Sequence, residues 1–386
     1  MNKSYCALPF RETMMVPGDV LLLCCRHDTN VIIKESFDKT FKTGKIQEIR
    51  ELMLEGKPVA GCEQCYIEEE QGIESMREQS IKRYGVVKDI ELRGLHIQFD
   101  NLCNLKCRMC TSAQSHLIYN DEVEIFGKAI IWQKFTEANR YKEIDVSKLT
   151  EIRMHGGEPF ISKKADDFFK TIIQSGRISE VNVATPTNGM ITPSGALLET
   201  LQQCKMLSLI VSIDAYGELN DYFRSKSNFE TVIKNLDIFY SLIETRKSGT
   251  TTIGVSTTVN IYNVNKLHEL NSFLKSKYPN LLVTQSFLHS PDYLRISCLP
   301  KEYKDKIRHT VVDYPDVLKM LDIDDPNYFE EFIFYHNQLD KIRQESLGCF
   351  NLELSEYIDS YKHIKEVTTE TIAQFSQFTD SGVFNE

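Results

Sequence analysis

The sequence predicts an α/β protein built on six βα units, with a cysteine-bearing segment before them and a helical segment after them. Three observations predict it. Short runs of alternating apolar and polar residues recur between residues 92 and 290, separated by helical patterns, as in parallel strands joined by helices. Eight of the eleven cysteines fall before residue 111, so the thiol chemistry is concentrated at one end of the chain. Beyond Pro300 the alternation gives way to charged residues with apolar ones at helical spacing. A chain of 386 residues exceeds what one simple core usually covers. The expected organisation is 1–90, 91–298 and 299–386.

Composition excludes several function classes. Hydrophobic residues make up 41% and charged ones 26%, the profile of a globular protein rather than a disordered one. A formal net charge of -10 argues against a non-specific hold on nucleic acid, which relies on a surplus of Lys and Arg. The longest apolar run, Val20 to Cys25, is too short to span a bilayer, and nothing resembles a signal peptide. The expectation is a cytoplasmic protein with no membrane partner. Cysteines in that compartment are reduced, so clustered ones point to metal binding or catalysis rather than disulfides.

In chain order, Cys6 precedes a hairpin pattern, in which Met14-Met15-Val16 and Val20 to Leu23 flank the turn Pro17-Gly18-Asp19. The second strand runs into Cys24-Cys25. Adjacent strand residues point to opposite faces, so only one of these two thiols should serve a given site. Ile46, Ile49, Leu52 and Met53 then mark a helix that Gly56 and Pro58 end, and Cys62-Glu63-Gln64-Cys65 follows as a C-x2-C knuckle. Cys6, one of Cys24 or Cys25, Cys62 and Cys65 make four ligands, enough for a closed iron-sulfur cluster or a structural zinc. Tyr66 to Tyr84, interrupted by Gly72, reads as a helical bridge.

The six strands are read at Leu95 to Phe99, Ile152 to His155, Val181 to Ala184, Leu207 to Asp214, Ile253 to Asn260 and Leu282 to Phe287. Their faces differ. Leu95, Ile97, Phe99, Ile152, Met154, Leu207, Leu209, Val211, Ile253 and Val255 share an apolar side, whereas His96, Gln98, Arg153, His155, Ser212 and Ser256 share a polar one. A parallel sheet covered by helices on both faces is apolar on both. The second face is therefore expected to line a wet or ligand-filled interior.

Past Pro300, Leu318, Leu321, the aromatic run Tyr328 to Tyr335 and Leu339 form the expected buried stripe. Cys204, Cys298 and Cys349 lack neighbouring ligands and read as packing residues. The last twenty residues, rich in Thr, Ser and Gln, read as a weakly ordered tail.

The chemistry concentrates in Cys103-Asn104-Leu105-Lys106-Cys107-Arg108-Met109-Cys110, in the loop after the first strand. Three thiols can hold a cluster and leave one position open. Soft thiolates select zinc, copper(I) or iron-sulfur clusters, and the C-x3-C-x2-C spacing favours iron-sulfur over zinc, which prefers paired knuckles. The second strand ends at the same edge in Gly156-Gly157-Glu158-Pro159, where catalytic groups of barrel-like folds gather.

This C-x3-C-x2-C run with Met109 before its last Cys, the GGEP segment, Thr187-Asn188-Gly189 after strand three and Ser212-Ile213-Asp214 on strand four resemble the radical SAM superfamily. The resemblance implies a partial (β/α)6 radical SAM barrel. It implies that Cys103, Cys107 and Cys110 bind a 4Fe-4S cluster whose fourth iron takes S-adenosylmethionine (SAM). Reductive cleavage then gives methionine and a 5'-deoxyadenosyl radical that abstracts hydrogen from a substrate. Gly156, Gly157 and Glu158 would approach the methionine moiety, Arg224 its carboxylate, and Asn188, Ser212 and Asn260 the ribose, carboxylate or adenine, with Met109 also at the cofactor.

Residues 1–90 resemble the auxiliary-cluster modules called SPASM or twitch, on the Cys6 to Gly18 spacing, the hairpin, the helix and the C-x2-C, although in most relatives the module follows the barrel. That resemblance implies a second, auxiliary iron-sulfur cluster, a peptide or protein substrate, and an electron donor such as flavodoxin or ferredoxin. Zinc stays open at the N-terminal site. The rival substrates are a nucleotide, sugar or other small molecule. The rivals outside enzymes are an iron-sulfur electron carrier and a zinc-binding interaction protein.

Overall fold

The computed structural model describes residues 4–27, 29–70, 72–131, 133–246 and 249–362, so the expected C-terminal tail lies outside the described residues. Strands β1 (Glu12–Val16), β2 (Val20–Leu22), β3 (Val31–Ile32), β4 (Gly94–Gln98), β5 (Glu151–His155), β6 (Asn182–Thr187), β7 (Met206–Ser212), β8 (Thr250–Val259) and β9 (Leu282–Phe287) form one sheet. Its order is β3-β2-β1-β4-β5-β6-β7-β8-β9. From β4 to β9 every neighbour is parallel and in chain order, the winding of a partial βα barrel.

The apolar face is the one helices cover. Lys163–Gln174 buries Ala165, Phe168, Phe169 and Ile172, one stripe at helical spacing, and Phe229–Thr245 likewise buries Phe229, Val232, Ile233, Leu236 and Phe239. These join Leu95, Ile97, Ile152, Met154, Leu209 and Val255 in one continuous core. On the opposite face His96 is buried, while Gln98, Arg153, His155, Ser212 and Ser256 are half-buried. The His96 and His155 rings stand 5.8 Å apart on adjacent strands.

Two features of the sheet were not legible in the alternation. Strand β6 continues past Ala184 to Thr187 and carries Pro186 opposite Ile210. Its pairing with β5 ends at Ala184, so beyond that point the strand has one ladder partner and proline's missing N–H is tolerated. The hairpin also joins the barrel sheet: β1 runs parallel to β4, with Glu12 opposite Gly94 and Met15 opposite Ile97. The expected helical bridge is two helices, Glu63–Glu70 and Met76–Tyr84, the second opened by a Ser75–Glu78 capping box.

The C-terminal segment packs on the rim of the barrel. Phe329, Phe332, Ile333 and Leu321 share a core with Tyr222, Phe223 and Tyr262 from the barrel loops. Leu339 is buried in a smaller neighbouring cluster. Cys204 and Cys298 are buried as expected of packing residues, but Cys349 is exposed, on a short turn outside the core. Among the described residues no helix is long and apolar enough to cross a membrane.

Candidate functional site

After β4 the chain turns through an irregular loop in which Cys103 and Cys107 are buried and Cys110 half-buried. Cys110 N–H donates to the Cys107 carbonyl (3.1 Å), a tight turn that brings these two thiols together. Cys103 Sγ accepts from Leu105 N–H at 3.4 Å and lies 4.0 Å from Asn188 Nδ2. Lys106 and Arg108 N–H groups donate to the Ser225 and Phe223 carbonyls, each at 2.9 Å, which sets Cys107 beside Arg224. Arg224 Nη1 is 3.9 Å from Cys107 Sγ.

The electrostatics of the three thiols differ. Burial pushes Cys103 up to about 12, helped by the neighbouring Cys107 thiol. Cys107 is lowered, first by the hydrogen bond from Cys110 and then, against burial, by the Arg224 charge, whereas Cys110 is raised by the same bond and by burial. Binding a metal here displaces the protons that burial favours on Cys103 and Cys110.

Across the loop stands Gly156-Gly157-Glu158. A Cβ on Gly157 would sit 2.0 Å from the Leu102 carbonyl oxygen, and one on Gly156, whose φ is +127°, would sit 2.9 Å from Gln98 Cγ. The glycines thus let the β5 loop close directly onto the cysteine loop, and Glu158 N–H donates to Leu102 O at 2.8 Å. Glu158 is buried. Its carboxylate accepts from Phe160 N (3.1 Å), Thr187 Oγ1 (2.9 Å) and Asn188 N (2.7 Å). Burial outweighs these bonds and raises it to about 7.

One cavity collects most of the sequence-expected residues: Cys103, Cys107, Met109 and Cys110 from the first loop, Gly156 to Glu158 from the second, and Asn188, Ser212 and Arg224. Asn260 is not among them. Its side chain donates to Thr258 O (2.7 Å) and accepts from Tyr262 N (2.9 Å), closing a turn on its own backbone. Three further contributors were not singled out as site residues from the sequence. Asn104 Oδ1 accepts from Asn188 Nδ2 at 2.8 Å, Thr258 lines the cavity, and Asp214 Oδ2 stands 2.7 Å from Arg224 Nε. Only the Ser-Ile-Asp run hinted at the last.

A second group of thiols lies at the N-terminal hairpin. Cys6, Cys24, Cys62 and Cys65 line one cavity, with Arg26 and Arg77 at its wall. Cys65 N–H donates to Cys62 O at 3.1 Å, the tight turn of the knuckle. Burial raises Cys6 to about 11 and Cys24 and Cys62 to about 12, and each is raised further by others of the four. Cys25 is turned away. It is exposed, 3.8 Å from Met76 Sδ, and lowered first by a hydrogen bond with His96, whose Nε2 is 3.1 Å from Glu12 Oε2. Of the two adjacent thiols, Cys24 is the one that shares a site. Among the described residues no group of three His, Cys, Asp or Glu is placed to hold a single metal ion.

The donor chemistry at the main cavity suits an iron-sulfur cluster and SAM: three convergent soft thiols, a buried guanidinium beside one of them, and a glycine-lined wall. Residues 97–269 match the family model for the Radical SAM superfamily. No curated protein sequence matches the chain. Among solved structures, SuiB from Streptococcus suis bound to S-adenosylmethionine aligns at 13% identity with a TM-score of 0.34, over 74% of this chain and 52% of that one. The chain thus spans about half the length of SuiB. Native anSMEcpe with bound AdoMet and Cp18Cys peptide aligns at 16% identity with a TM-score of 0.37, over 60% of this chain and 62% of that one. The family match covers the strands and loops that assemble the cysteine loop against Gly156-Gly157-Glu158, so residues 97–269 form a domain similar to those of the radical SAM superfamily.

Proposed function

We propose that this enzyme abstracts hydrogen from a peptide or protein substrate, with residues 91–298 as the radical-generating barrel, 1–90 as an auxiliary-cluster module and 299–386 as a helical extension. The observation that carries the reading is the single cavity shared by Cys103, Cys107, Cys110, Glu158 and Arg224. The chemistry that a reduced cluster and SAM would supply if held there is reductive cleavage of the sulfonium to methionine and a 5'-deoxyadenosyl radical.

The chain's own residues do the rest. Cys103, Cys107 and Cys110 hold three irons. Glu158, poised near neutrality by burial, accepts from the methionine amino group, and a cation arriving there favours its ionised form. Arg224, paired through Nε with Asp214, would neutralise the methionine carboxylate. Asn188 would contact the ribose, and Ser212 the ribose or the carboxylate. Cys6, Cys24, Cys62 and Cys65 would hold an auxiliary iron-sulfur cluster, which would supply an acceptor for the electron left after substrate oxidation. The peptide assignment rests on the resemblance of this module to SPASM and twitch modules. Reduced thiols in both sites suit the cytoplasm and a flavodoxin or ferredoxin donor.

The test is anaerobic reconstitution with iron and sulfide, then reduction in the presence of SAM. Formation of 5'-deoxyadenosine supports the reading. A fully iron-loaded protein that forms none overturns it.

A further inference from the structure

At the rim of the barrel a two-bond ladder joins the cysteine loop to the segment 223–225, through Lys106 N–H to Ser225 O and Arg108 N–H to Phe223 O. Side chains alternate across such a ladder, so Cys107 and Arg224 face the cavity while Lys106 and Arg108 face away from it. That reverse face is covered by the C-terminal helix Phe329–Arg343 and the residues after it.

The contacts there are dense and charged. Arg108 is fully buried. Its Nε donates to Tyr222 O (3.2 Å), its Nη2 to Asp340 Oδ1 (2.5 Å) and Glu345 Oε2 (2.6 Å), and its guanidinium lies 3.8 Å from the Tyr222 ring centre. Tyr335 Oη donates to the Arg108 carbonyl at 2.9 Å, and Arg343 Nη1 to the Lys106 carbonyl at 2.8 Å. Arg343 also pairs with Asp121 (2.9 Å), which holds Lys106 Nζ at 2.5 Å. The two backbone carbonyls on either side of Cys107 are therefore both held by a helix more than 220 residues away in sequence, outside the 97–269 family match.

We propose that Arg108, Asp340 and Glu345 are positioning residues for the cluster site, and that their charges tune the reduction potential of the cluster held by Cys103, Cys107 and Cys110. The inference rests on that cluster reading. The Arg108 cation follows Cys107 in the chain and is buried, where charges are screened less than in water. A cluster gains negative charge on reduction. A buried cation nearby favours the reduced state and the half-buried carboxylates oppose it, as local charge and hydrogen bonding do at iron-sulfur sites generally. The carboxylates hold Arg108 in place and moderate its effect at the same time. An irregular loop carrying three ligands needs such support to keep its thiols in register.

The experiment is an EPR-monitored redox titration of the reconstituted full-length enzyme, with iron content measured alongside. R108Q is expected to move the midpoint to lower potential and D340N/E345Q to move it to higher potential, the opposite sign. R108K keeps the charge but loses the fork, so it is expected to stay nearer the wild-type midpoint than R108Q. Should R108Q fail to fold or to take up iron, the D340N/E345Q shift decides alone. Midpoints equal to wild type, or shifts of the same sign in R108Q and D340N/E345Q, overturn the proposal, because a merely structural loosening has no reason to follow the sign of the charge removed. A wild-type protein that takes up no iron at Cys103, Cys107 and Cys110 overturns instead the cluster reading beneath it.

Discussion

Arg224 lies with Nη1 3.9 Å from Cys107 Sγ, and its Nε edge is held 2.7 Å from Asp214 Oδ2. Both partners are buried, and the Asp214 contact is an ion pair rather than an aligned hydrogen bond. Burial raises the Asp214 carboxyl and the Arg224 charge opposes it, so each ion depends on the other.

Removing one partner of such a pair leaves an uncompensated buried charge, at a cost of about 3–5 kcal/mol. R224M is expected to lose stability of that order in urea denaturation of the apoprotein. R224M/D214N is expected to regain much of it, while 5'-deoxyadenosine formation stays low in both. Recovery of SAM cleavage in the double variant would remove Arg224 from the carboxylate role.

Gly157 meets the Leu102 carbonyl where any Cβ would stand, at 2.0 Å. Relief requires moving the backbone next to Cys103, since the nearest atoms all belong to the backbone of Asn101 and Leu102. G157A is expected to destabilise the protein by about 1–3 kcal/mol and to lower iron uptake at the Cys103 site. Iron analysis after reconstitution, with the auxiliary thiols replaced by alanine, reads that loss directly.

Cys24 joins Cys6, Cys62 and Cys65 around one cavity, whereas Cys25 faces His96. With two four-iron clusters the wild type should bind about eight irons per chain. C24A is expected to fall towards about four, and C25A to remain at the wild-type value. The reverse order would show that the adjacent thiol is the ligand, and four irons with one zinc in the wild type would support the structural-zinc alternative.

Burial alone would raise the Glu12 carboxyl, but hydrogen bonds from His96 and Tyr84, with the charges of His96 and Arg83, outweigh it and hold the group at about 2. A carboxyl whose folded value lies below its ordinary one stabilises the fold above that ordinary value. The contribution is lost as pH falls from there through the folded value. The wild type is therefore expected to exceed E12Q in stability at pH 7, by up to about 3 kcal/mol. The gap should narrow as pH falls from about 4.5 towards 2. Thermal unfolding of both apoproteins across that range measures it, and a gap that stays constant with pH would show that Glu12 contributes through packing alone.

The sequence by itself determined the six parallel strands, the polar inner face and the two groups of cysteines. The reason is local: period-two alternation and tight cysteine spacing are written in consecutive residues and survive whatever the chain packs against. Gly156, Gly157, Glu158 and Arg224 were legible for the same reason, as short runs at the ends of strands. The tertiary structure decided what depends on neighbours distant in the chain. It set β1 against β4, separated Cys24 from Cys25 by the direction each faces, and turned Asn260 into its own loop. It also brought Asp340 and Glu345 behind Arg108, a contact between residues 232 and 237 positions apart that no periodicity along the chain encodes.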